Sequence, residues 1–143
     1  MSEDDGIEIR FPFGFGVEGT PVSAQSSNGN SKQAWKDKVL AAARTVVPKH
    51  CFATAERLAI TIYDFPTDEP DSDVDNIIKL IQDALVGSIY IDDKQIARVV
   101  AQRFLQADIV AMGDLPDLVA EALTKDPPFV YIHISNTPLG EAK

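Results

Sequence analysis

The chain is poor in the residues that define several common kinds of protein. It has one cysteine, Cys51, so no internal disulfide can form and no cysteine-built zinc site is available. That predicts a reducing, cytoplasmic setting. Its two histidines, His50 and His133, lack a second ligand at metal spacing and read as structural. No apolar run approaches the roughly 20 residues needed to cross a bilayer, so no membrane association is expected. The opening Met1-Ser2-Glu3-Asp4-Asp5 has neither the basic nor the apolar region of a secretory signal, and none is expected. Positive charge is scarce as well. Lys and Arg total 13 against 22 Asp and Glu, for a net charge of −9. Taken whole, that argues against a generic nucleic-acid binder, because a negative surface repels phosphate.

What is present is 143 residues with a hydrophobic fraction of 45% and a charged fraction of 24%, enough for one domain (1–143) with a real core. The charge is unevenly spread. Between Asp64 and Asp93 nine acids stand against one base, Lys79, so the rest of the chain is close to neutral. A mildly basic stretch, Lys32 to Arg57, carries Lys32, Lys36, Lys38, Arg44, Lys49 and Arg57. Acids crowded into thirty residues repel one another unless they are spread over a solvated face or gathered round a cation.

Residues 1–6 read as a frayed tail. Ile7 to Val17 alternates as a strand, with Pro12, Gly14 and Gly16 marking a bend or a sheet edge. Phe11, Phe13 and Phe15 there suggest an interface with a second copy. Residues 19–30 form a polar, flexible loop of a length often tied to function. Ser31 is a candidate cap for a helix to Val47 with a stripe of Trp35, Val39, Ala42, Ala43 and Val46. Strands are predicted over 57–63, 88–91, 95–105 and 129–135, and helices over 73–86 and 114–124. The fold class is α+β: a single domain with a mixed sheet and two or three packed helices.

The pattern Asp71-Ser72-Asp73-Val74-Asp75-Asn76-Ile77-Ile78-Lys79 opens the second helix, and Asp75, Lys79 and Asp83 follow one face at i, i+4 and i+8. A helix start accounts for one of these acids, not for three. If the chain after Gly87 doubles back along the helix, the Asp92-Asp93 turn returns to the helix start. Asp73, Asp75 and Asp93 then converge into an oxygen-ligand site suited to Mg²⁺ or Mn²⁺ and to phosphodiester hydrolysis. An EF-hand is excluded, since its sixth position would be Asn76 and its twelfth Gln82.

The run from Pro70 to Lys79, followed by Asp83-Ala84-Leu85, Gly87, Tyr90, Asp92-Asp93 and Gln95, resembles the RusA family of Holliday-junction resolvases, whose pattern is Asp-x-Asp-Asn-x-x-Lys and then Asp-Asp-x-Gln. The resemblance implies a homodimeric, Mg²⁺-dependent endonuclease making paired nicks in four-way DNA junctions. It implies that Asp73, Asp75 and Asp93 are metal-binding and catalytic, and that Lys79 stabilises transition-state charge or positions the attacking water. It further implies that Asn76 orients groups at the metal and that Asp92 supports them from behind. The loop at 22–27 departs from the family in lacking Lys and Arg, which leaves Lys32 and Lys36 as candidate DNA contacts. Two other readings remain open at this point: a family member that binds junctions or a protein without cutting, and a metal-dependent phosphoesterase acting on nucleotides.

Overall fold

The structure is a computed structural model that describes residues 7–123 and 125–139. The tail expected at residues 1–6 and the helix end expected at Thr124 lie outside the described residues. In chain order the elements are β1 (Phe13–Glu18), α1 (Gly29–Arg44), β2 (Leu58–Phe65), α2 (Ile78–Leu85), β3 (Ile96–Arg103), α3 (Gln106–Met112), α4 (Asp117–Ala122) and β4 (Phe129–Ser135). Single 3₁₀ turns at Val74–Ile77 and Asp93–Gln95 precede α2 and β3. The sheet order is β1-β4-β2-β3, with β2 parallel to β3 and the other pairs antiparallel. The fold is α+β with one mixed sheet.

Strand alternation divides the interior in two. Val130, Ile132 and Ile134 of β4 and Leu58, Ile60 and Ile62 of β2 face α1 and α2. α1 contributes Trp35, Val39 and Ala43, spaced one turn apart, and α2 contributes Leu80, Ile81, Ala84 and Leu85. On the opposite face Phe129 and Tyr131 join Phe65, Phe104, Val119 and Ala122. Phe65 stacks on Phe104 and Phe129 with ring centroids 5.3 and 4.6 Å away. Here α3 and α4 cover only one end of the sheet. Two helices pack on the main core as expected, and the second face recruits short helical pieces.

Several element limits differ from the sequence-based expectation. The first strand begins at Phe13, because Pro12 has no N–H for the ladder. Ile7 instead bridges Cys51. A side chain at Gly14 would collide with the Tyr131 hydroxyl, so the glycine lets that ring cross β1. Phe15 is buried, and Phe11 and Phe13, partly buried, pack against the same core. α1 starts at Gly29 because Asn28, not Ser31, is the cap: Asn28 Oδ1 accepts from Ser31 N at 3.0 Å. No strand forms over 88–91. Gly87 takes φ 89°, and the Gly87 N–H donates to Tyr90 O at 2.7 Å, turning the chain too tightly for an extended run. α3 was not anticipated, because its half-buried Ile109 and Met112 make too narrow a stripe to be read.

Candidate active site

The site is built on the crossover from β2 to the parallel strand β3. A parallel pair requires a long connection, and here it runs through the acidic loop, a 3₁₀ turn and α2. The first turn of the expected helix over 73–86 is the tighter 3₁₀ turn, Val74–Ile77, and the α-helix proper begins at Ile78. Asp73 occupies the N-cap position, yet its side chain makes no capping hydrogen bond. Asp75 lies in the 3₁₀ turn. Asn76 acts through its backbone: its N–H donates to Asp73 O at 3.1 Å, and its carbonyl accepts from Ala24 N at 2.9 Å. That second bond ties the polar loop at 19–30 to the start of the site, next to the α1 end that carries Lys32 and Lys36.

The chain does double back. Asp93 Oδ2 lies 3.1 Å from Lys79 Nζ in the first turn of α2, and Asp83 Oδ1 lies 2.9 Å from the same nitrogen. The two carboxylates hold the Lys79 ammonium above its usual pKa, Asp83 contributing most. The Lys79 ammonium beside it holds the Asp93 carboxyl below its usual range. Tyr90 sits beneath the group with its hydroxyl donating to Gln82 O at 2.7 Å. Burial, and then the negative charges of Asp93 and Asp83, push its pKa well up. This phenol stays protonated and pins α2 to the turn.

The Asp92-Asp93 turn is a closed capping box. Asp92 Oδ1 accepts from Lys94 N at 3.0 Å, and Gln95 Oε1 accepts from both Ile91 N and Asp92 N at 2.9 Å. Gln95 Nε2 donates to Thr54 O at 2.8 Å and to Glu56 O at 2.9 Å, fastening the turn to the segment entering β2. The carboxylate of Asp92 is thus spent on turn geometry, while that of Asp93 faces Lys79.

The structure brings Asp93, Lys79 and Asp83 together. It does not draw Asp73, Asp75 and Asp93 into one coordination group: among the described residues no three Asp, Glu, His or Cys side chains are grouped so as to hold a metal ion. The donor chemistry fits a hard divalent cation, since every candidate ligand is a carboxylate. Lys79, with 57% of its side chain exposed, now supplies the positive charge beside Asp93.

Two residues escaped the sequence reading. Asp64, at the end of β2, is 1% exposed and paired in register with Arg103 at the end of β3. Arg103 Nε donates to Asp64 Oδ2 at 2.9 Å, and its Nη1 donates to Ser72 O at 2.8 Å, one residue before Asp73. Burial raises the Asp64 pKa, and the Arg103 guanidinium opposes that rise. The available signal was a lone Asp and a lone Arg at the ends of two apolar strands, but only the strand register pairs them.

A small α+β domain carrying a surface carboxylate–lysine site on a parallel crossover is the class that fold and site define. The chain is similar over residues 22–111, well over half its length, to the family model described as endodeoxyribonuclease RusA. It belongs to the RusA family, and membership implies endodeoxyribonuclease activity of the Holliday-junction resolvase kind. Compared with curated proteins, the chain has no significant match. Among the described residues no helix is long and apolar enough to cross a membrane.

Proposed function

We propose that this protein is a divalent-metal-dependent, structure-specific endonuclease that resolves four-way DNA junctions by paired nicks, acting in the cytoplasm. The observation that carries the reading is the return of Asp93 to Lys79 in the first turn of α2, one helical turn after Asp75. Asp73, Asp75 and Asp93 would hold Mg²⁺ or Mn²⁺. When bound, the ion supplies Lewis-acid polarisation of the scissile phosphate and makes the attacking water easier to deprotonate.

The chain's own groups have distinct tasks. Lys79 keeps Asp93 ionised and aimed along α2. Its exposed ammonium is placed to meet the negative charge that builds on the phosphate oxygens during in-line attack by water. The Asn76 backbone fixes the Asp73–Asp75 turn and docks the 19–30 loop beside it. Asp92 and Gln95 hold the turn that presents Asp93. Lys32 and Lys36 contact DNA phosphates from α1, in place of the basic residues that the 22–27 loop lacks. A junction with two-fold symmetry calls for two such sites, so the active species is a homodimer.

The test is to incubate the protein with a labelled four-way junction, a linear duplex and a nucleotide, each with Mg²⁺ and with EDTA. Symmetric nicks in the junction alone, abolished by EDTA, are expected. Binding without cleavage, or hydrolysis of the nucleotide instead, overturns the assignment. Sedimentation at micromolar concentration should give a dimer.

A further inference from the structure

The Asp64–Arg103 pair is an odd device if stability is its only purpose. A buried ion pair is matched or exceeded in stability by apolar side chains of similar volume. This one is also incompletely satisfied: Asp64 Oδ1 and Arg103 Nη2 are buried and find no hydrogen-bond partner among the described residues. An apolar pair would leave no such orphans. It could not, however, grip a carbonyl beyond the sheet. Arg103 does this with the second arm of its fork, reaching Ser72 O at 2.8 Å while Asp64 holds the first arm at 2.9 Å. Ser72 stands between Asp71 and Asp73, in a loop whose next residue makes no side-chain cap of its own.

We infer that Asp64 and Arg103 are positioning residues. They form a buried clamp that fixes the Ser72 carbonyl and so sets where the Asp73 and Asp75 carboxylates stand, ready for a divalent cation. This rests on the nuclease reading for its purpose, but the clamp itself is a statement about the loop. Its geometry is specific to arginine. The Nε and Nη1 donors lie in one rigid plane and serve two acceptors, whereas a lysine offers a single nitrogen. Charge alone therefore does not replace it. Asp64 is needed because an unanchored arginine head would have no fixed direction from which to hold Ser72.

The experiment is Arg103→Lys, which keeps a cation opposite Asp64 and removes the second arm. Amide hydrogen exchange is followed in the metal-free protein, and junction cleavage is titrated with Mg²⁺, separating kcat from KM. Exchange over residues 71–76 is expected to rise about tenfold while the amides of β2 and β4 keep their protection. The Mg²⁺ concentration for half-maximal cleavage is expected to rise about tenfold, with KM for the junction changed by less than about twofold. Wild-type exchange over residues 71–76 overturns the clamp. If Arg103→Lys loosens the whole molecule, the double variant Asp64→Asn/Arg103→Gln removes both charges and is measured in the same way. Loosening confined to 71–76 supports the clamp, and uniform loosening, or none, overturns it. Exchange needs neither metal nor DNA, so a wild type that never cuts junctions sinks the nuclease reading while the clamp is still judged by its own measurement.

Discussion

The two segments that supply the acids of the site are built in opposite ways. The Asp92-Asp93 turn is closed on itself and on its surroundings: Gln95 alone engages four backbone groups, and Lys79 takes the carboxylate that points outward. The Asp71–Asp75 segment is held by the backbone bonds of its 3₁₀ turn, among them Asn76 N to Asp73 O and Ile78 N to Asp75 O, by an external hold on Ser72 from Arg103, and by no side-chain cap. The turn is finished in the protein alone. The loop carries its carboxylates without partners of their own, and among the described residues neither Asp73 nor Asp75 has an ion pair. The two halves of the site are thus positioned by different means, one by hydrogen bonds of its own turn and the other from outside through Arg103.

The sharpest way to break this contrast is to neutralise one acid on each side. Asp75→Asn and Asp93→Asn should each lower cleavage by about a thousandfold, the loss of roughly 4 kcal/mol of transition-state stabilisation. Melting temperatures should stay near wild type, and junction binding should hold or tighten as repulsion of phosphate falls. Lys79→Met should slow cleavage by about a hundredfold and return the Asp93 carboxyl toward its ordinary pKa, readable by carboxylate NMR. Gln95→Ala leaves backbone groups of the turn without their partner. It should cost about 2 kcal/mol in denaturant unfolding and reduce cleavage by about tenfold, whereas a purely local effect would leave cleavage unchanged.

The smallest expected effect lies on the far face of the sheet, away from both segments. Burial holds the His133 imidazole below its usual pKa of 6.5, with Glu121 pulling weakly the other way. The unfolded chain then binds this proton more readily than the folded one. Stability is therefore full above pH 6.5 and declines as the pH falls from there through the folded value. His133→Gln should flatten that decline in a pH series of unfolding curves and leave cleavage near neutral pH untouched.

Reading the chain without coordinates succeeds where a local pattern has a single physical outcome. The alternation from Phe129 to Ser135 is a strand with those limits, since two apolar faces leave no other period. The stripe through Trp35 and Val39 is a core helix, although its cap moved three residues because Asn28 serves as well as Ser31. Reading fails where tertiary contacts decide. The expected strand at 88–91 is a turn because Gly87 bends the chain and its N–H closes on Tyr90 O. Asp73, Asp75, Lys79, Asp92 and Asp93 were all visible as candidates; the expected return of Asp93 to the helix brings it to Lys79, which also meets Asp83, while among the described residues no three-carboxylate group forms with Asp73 and Asp75.

Sequence alone determined which atoms this protein can offer to a ligand: a set of carboxylates with one lysine among them, no thiol or imidazole nearby, on a helix whose apolar stripe forces that face outward. Only the tertiary structure decided which of those charges meet. Lys79 joins Asp83 and Asp93, and Asp64 joins Arg103 across thirty-nine positions of chain. Periodicity is a local property and constrains a residue's face, whereas register between strands is set by packing of the whole sheet, and partners distant in the chain are chosen there.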